Sequence, residues 1–147
     1  MMSSSVECYL VPRTEDAPNS RLPILVYRDV LPQPRIEETA YEIPDYTSVG
    51  KEGKIQKGMG VEVPVRAGDV VVLPAGTAHS SLESSSDYRY IGVYPKGCPK
   101  WRNEMGKKSS SVFLNAIDEV DMPEDDPVYG PDGPLPILWS QAPRAKL

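Results

Sequence analysis

His79 is the only histidine in a chain of 147 residues. An imidazole titrates near neutrality, so it can hold a metal ion or pass a proton. It can equally be a polar residue held by hydrogen bonds in a fold that does no chemistry. Around it stand Arg66, Glu83, Tyr88, Tyr90 and Tyr94. Arg66 and Glu83 could orient a substrate, although a surface turn and a strand edge explain them equally well. The tyrosines could contact a ligand, with packing between strands as the plainer account. Cys8 and Cys98 are too few and too far apart for a disulfide framework or a paired-cysteine metal site, so two free thiols are expected.

The elements that must position these groups are short. Sixteen prolines and 11 glycines argue against a helical bundle, since each proline removes a backbone donor and interrupts regular helix. Val6 to Val11 reads as a first strand stopped by Pro12, and Leu22 to Arg28 as a second, with Pro23 placing its start at an edge. Residues 32 to 60 lack a clear pattern and are read as loop with one or two short strands. Val61, Val63 and Val65 alternate with Glu62, Pro64 and Arg66, the period of a half-buried strand. Val70 to Leu73 is apolar on both faces. His79 to Leu82 and Tyr88 to Tyr94 are read as further strands, the latter rich in aromatic and branched residues. Strands this closely spaced by Gly/Pro turns predict an all-β barrel or sandwich.

Beyond Pro95 the pattern changes. Phe113, Ile117 and Val120, beside Val112, Ala116 and Glu119, predict one amphipathic helix from about Ser110 to Glu119, with a serine as cap. Asp118 to Asp126 is read as an acidic, solvated surface. Ile137-Leu138-Trp139 is expected to dock on the barrel as a last short strand, with Trp101 and Trp139 fastening the arm. Lys107-Lys108 is read as a solvated pair. Residues 1–147 form one expected domain, with 99–147 as a helix and arm packed on it.

Composition narrows the partners. The net charge is -5 and the basic residues are scattered, which excludes a nucleic-acid binder built on a concentrated basic surface. The longest apolar run, Val70 to Leu73, suits one buried strand and no membrane span. The first ten residues carry serines and a glutamate where a secretory leader would be apolar, so an intracellular, cytoplasmic protein is expected. Ala145-Lys146-Leu147 is a variant of a peroxisomal address and opens that second location.

The most informative run is Gly68-Asp69-Val70-Val71-Val72-Leu73-Pro74-Ala75-Gly76-Thr77-Ala78-His79. Gly68 permits a tight turn, the apolar stretch crosses a sheet, Pro74 and Gly76 fix a second turn, and His79 enters the next strand with its ring expected to face the interior. This run resembles the second motif of the cupins, small jelly-roll-like β-barrels. Pro18 to Arg28, Tyr90 to Gly97, and Asp126 to Gly130 with Gly133-Pro134-Leu135 are similar, in the same order, to a small-cupin subgroup, the YjlB-like proteins.

The resemblance implies that His79 is a metal ligand, with Glu83 at a weakly specified motif position as a second. The implied metal is divalent: iron, manganese or zinc. It also implies two further histidines and a glutamate from a first motif, whose place falls between Ile36 and Gly60, and this chain has neither histidine. A first-row metal takes three or four protein ligands. Three accounts of the shortfall stay open: the barrel has lost its metal, it borrows ligands from a partner, or the sequence omits an exon.

Short cupins of this subgroup in fungal polyketide gene clusters are described as oxidoreductases in pathways to salicylaldehyde or salicyl-alcohol compounds. The resemblance therefore implies an accessory or tailoring oxidoreductase of secondary metabolism. Its substrate would be a small aromatic or polyketide-derived molecule, held by His79, Glu83, Arg66 and the tyrosines. The alternative is a metal-free barrel that binds or scaffolds without catalysis. A barrel short of strands is also expected to pair with a second copy, and pathway enzymes are further candidate partners.

Overall fold

The computed structural model describes residues 6–32, 60–98 and 107–142, together with the backbone of two short strands at 48–49 and 55–56. Its centre is a three-stranded antiparallel sheet of β1 (Glu7–Tyr9), β2 (Ile24–Tyr27) and β5 (Val70–Val72), in the order β1-β2-β5. Cys8 lies opposite Leu25, and Leu25 opposite Val72. The pair β3 (Ser48–Val49) and β4 (Ile55–Gln56) forms a separate two-stranded ladder inside the stretch read as loop with short strands.

All four residues of β2 are fully buried, because both faces of the central strand are covered. Side chains alternate across a strand, so the run Ile-Leu-Val-Tyr feeds two cores at once. Ile24 and Val26 pack with Val11 and Val63 on one face. Leu25 and Tyr27 pack with Leu135 and Trp139 on the other.

Val61 to Arg66 shows how a strand pattern can be obeyed without a ladder. Val63 is buried, Val61 and Val65 are half-buried, and Glu62, Pro64 and Arg66 are exposed. The alternation sets burial as expected, but no strand is assigned. Pro64 has no N–H to pair, and its carbonyl accepts from Arg28 instead, at 2.6 Å.

Three expectations are corrected. Neither His79–Leu82 nor Tyr88–Tyr94 forms a strand, and every residue from Arg89 to Cys98 is exposed. The arm at Ile137-Leu138-Trp139 is helical: α2 spans Pro134–Ser140, with proline at its first position and Gly133 before it. A proline already fixed near helical φ, with no N–H to orphan, starts a helix well. The arm does dock as expected: Trp139 is buried, and its indole Nε1–H donates to the Pro23 carbonyl at 2.9 Å.

The predicted helix at Ser110–Glu119 is present as a 3-10 turn, Ser110–Phe113, continued by α1, Leu114–Asp118. Its serine does not cap it. Ser110 is buried and bonds the N-terminal loop, its Oγ to the Thr14 carbonyl and its N–H to the Glu15 carbonyl, each at 2.7 Å. The described residues thus make a small mixed fold, a three-stranded sheet with two short helices rather than one.

Candidate functional site

The turns around the glycine-to-histidine run are built as their residue types require. Gly68 has φ 93° and Gly76 φ 82°, both left-handed and favourable only for glycine. The Gly68 carbonyl receives the N–H groups of Val30 and Leu31, joining this turn to the end of β2. Beyond Gly76 the chain is held by Asn19, which is buried. Its Nδ2 donates to the Pro12 carbonyl at 2.7 Å, and its Oδ1 accepts from the Ala78 N–H at 3.1 Å. One amide side chain therefore fixes the residue before His79 to the N-terminal loop.

His79 itself is exposed, with Nδ1 at 3.3 Å from the Thr77 carbonyl. That corrects the expectation of a ring directed into a hollow. Glu83, Arg66, Tyr90 and Tyr94 are exposed as well, and Tyr88 is half-buried. Tyr88 and Tyr90 stack, with ring centroids 5.8 Å apart. Among the described residues, no group of three or more His, Cys, Asp or Glu side chains could hold a metal ion. The described residues alone do not make up the ligand set for the divalent metal that the resemblance implies, and the stretch 36–60 expected to carry its first motif lies almost wholly outside them. Cys8 and Cys98 are free and exposed, as expected.

Charge is organised instead at one end of the sheet. Arg28 follows β2, and Glu7 begins β1 opposite Val26. Residues two apart share a face, so the guanidinium reaches back over Glu7. Nε donates to Oε1 at 2.8 Å and Nη2 to Oε2 at 2.7 Å, a two-pronged ion pair. Nη1 donates to Asp69 Oδ2 at 2.8 Å. Asp69 is buried and also accepts the N–H groups of Asp29 and Arg66 at 2.9 and 3.1 Å.

The Arg28 guanidinium, helped by the Tyr9 hydroxyl, holds the Glu7 carboxyl down at about 2. Hydrogen bonding to Glu7 likewise pushes Arg28 above its ordinary value, so the pair stays charged. Asp29 sits at φ 51°, a strained conformation that aspartate tolerates better than most residues.

Glu7, Arg28, Asp29, Pro64, Arg66, Ala67 and Asp69 line an open depression of about 650 Å³. Of the six sequence-predicted site residues, only Arg66 belongs to it. A second depression, of about 100 Å³, lies between the Ala75 turn, Ile117 and Trp139. Neither is lined by His79, Glu83 or the tyrosines. Glu7, Arg28 and Asp69 were missed as a site, although the sequence held a signal. A glutamate at the start of one strand and an arginine at the end of its antiparallel neighbour meet when the hairpin closes.

The chain is similar to a Bacillus subtilis (strain 168) protein named "Uncharacterized protein YjlB", at 35% identity over 92 residues. The match takes in 60% of this chain and 55% of that protein, so the chain spans about half the length of the curated relative it matches. No family model matches, and no solved structure does. The likeness supports the YjlB-like part of the resemblance. Among the described residues no helix is long and apolar enough to cross a membrane.

Proposed function

We infer that this chain is a YjlB-like, cupin-related module that binds a small polar metabolite without a resident metal. One observation carries this reading: an open depression lined by the ion-paired Glu7, Arg28 and Asp69 together with the exposed Arg66 and Asp29. Arg28 makes four hydrogen bonds to its two carboxylates and the Pro64 carbonyl, so it mainly shapes the depression. Arg66 lines the depression and is exposed, so its guanidinium would take a ligand carboxylate or phenolate, which a planar fork matches well. Asp29 would accept from a hydroxyl. A small phenolic acid fits that pairing.

The test is a titration of the full chain with salicylate and salicyl alcohol, read by calorimetry. Arg66→Ala is expected to weaken salicylate binding about tenfold or more, the loss of one charge-assisted contact, while His79→Ala leaves it unchanged. Equal binding by Arg66→Ala and the native chain would end this reading.

A second reading is supported by the Gly68-to-His79 run, which resembles the second cupin motif and has left-handed φ at both Gly68 and Gly76. In it the chain is an accessory oxidoreductase of fungal secondary metabolism acting on a small aromatic or polyketide-derived molecule, with His79 and Glu83 at its centre. Stoichiometric iron, manganese or zinc in the purified protein, lost in His79→Ala, would favour it over the first.

A further inference from the structure

Asp69 offers little surface to a ligand, because its side chain is only 6% exposed. Its carboxylate joins two turns instead. Oδ2 accepts the Arg66 N–H at 3.1 Å, and the Asp69 N–H returns to the Arg66 carbonyl at 3.1 Å. This closes the turn 66–69, with left-handed Gly68 in its third position. Oδ1 accepts the Asp29 N–H at 2.9 Å. The Val30 and Leu31 N–H groups donate to the Gly68 carbonyl, so the turn that follows β2 is tied to turn 66–69 on both sides of Asp69. Nη1 of Arg28 donates to Oδ2 as well and keeps the carboxylate from rotating.

Asp29 shows what this tie maintains. It is exposed and sits at φ 51°, where a glycine would rest without a Cβ penalty. A strained backbone of this kind persists only where the surroundings over-determine it, and it concentrates at binding sites. A carboxylate kept at a position better suited to glycine is kept for its side chain.

We propose that Asp69 is a positioning residue, which holds Arg66 and Asp29 as a preset pair that selects an acid carrying a separate hydroxyl. This role rests on the depression being the binding site. Both members of the pair line it. The ligand carboxylate meets the Arg66 guanidinium, and the ligand hydroxyl donates to Asp29. That hydroxyl has to stand away from the acid, since an ortho hydroxyl already donates to the carboxylate beside it. The ligand class is therefore a small hydroxy acid with its two groups apart on the ring.

Calorimetric titration of the full chain with benzoate and with meta-hydroxybenzoate tests this. The native chain should prefer the hydroxylated acid by about tenfold, the gain from one hydrogen bond to a charged group. Asp69→Asn keeps the size but turns one oxygen into a donor, so it can hold only one of the two turns. Its preference should fall to about twofold or less. A purely structural Asp69 would lower the folded fraction equally for both acids and leave that ratio unchanged.

A second variant does not depend on Asp69→Asn folding. Asp29→Gly suits the left-handed backbone, so its urea midpoint should equal or exceed the native one while the preference is lost. A native preference kept in Asp69→Asn, no preference in the native chain, or a midpoint of Asp29→Gly well below the native value overturns the proposal and leaves the depression as a site. A native chain that binds neither acid, or an Arg66→Ala variant that binds both as the native chain does, overturns the binding site and the proposal together.

Discussion

The arm at Asp126–Ser140 and the stretch at Tyr88–Tyr94 are similar raw material with opposite outcomes. Each has aromatic and aliphatic residues, and in each the sequence predicts a strand, at Ile137–Trp139 and at Tyr88–Tyr94. The arm is packed against the sheet, and beyond the half-buried Tyr88 the stretch is exposed. The difference is a buried polar centre. Asp126 Oδ1 accepts the N–H groups of Val128 and Tyr129 at 2.8 and 2.9 Å, and Oδ2 accepts that of Leu135 at 3.0 Å and the Tyr27 hydroxyl at 2.5 Å. One carboxylate thereby closes its own turn, starts α2 and ties both to the central strand. Among the described residues, no buried carboxylate of this kind bonds the backbone of 89–94. Apolar content creates a demand for burial, but a placed polar group decides against what.

The largest test of that contrast is Trp139→Ala. It removes a large buried side chain and the indole bond to Pro23, and should cost about 3–5 kcal/mol, measured by urea denaturation followed by far-UV circular dichroism. Trp139→Phe, which keeps most of the packing and drops the indole bond, should cost about 1 kcal/mol. A loss below about 1 kcal/mol for the alanine variant would mean that the arm is not fastened here.

Next in size is Asp126. Burial pushes its carboxyl up, but the Tyr27 hydroxyl and the three backbone donors outweigh that, and the net direction is below the ordinary value. Tyr27 moves the other way, raised by burial first and by Asp126 second. Since the folded-state value of Asp126 is the lower one, its stabilisation is complete above the unfolded value near 4 and is lost as pH falls through the folded value. Asp126→Asn turns an acceptor into a donor facing donors, and should cost about 2 kcal/mol at neutral pH. Its urea midpoint should also fall less than the native one between about pH 5 and pH 2. Glu7, held at about 2 in the same range, is largely screened by solvent and should leave a smaller residual slope in both proteins.

These two sites also show what could be read from the sequence. Strands 7–9, 24–27 and 70–72, the alternating burial at 61–66 and the helix near 110–118 follow from local pattern, since period and turn residues act at short range. Asp126 was not legible: it closes an acidic run that reads as solvated, and its burial depends on Tyr27, nearly a hundred residues away. The helix at 134–140 was misread for a related reason. A three-residue apolar cluster carries no period, and the signal lay in Gly133-Pro134 before it. In the site, Arg66 was found on its own, while its neighbours Glu7 and Arg28 needed the strand register to meet. His79 was legible as the end of a turn and not as a buried ring, because a turn fixes where a residue sits but its exposure depends on what covers it.

The smallest effect expected is also the sharpest, because it applies one substitution to both kinds of surface. Val63 is 5% exposed and Val93 is 83% exposed. Val63→Ala should cost about 1.5–3 kcal/mol, the burial of that side chain, and Val93→Ala no more than about 0.5 kcal/mol in dilute protein. Equal costs for the two variants in dilute protein would mean that Val93 is already buried within its own chain, and the contrast between the fastened arm and the open strip would collapse.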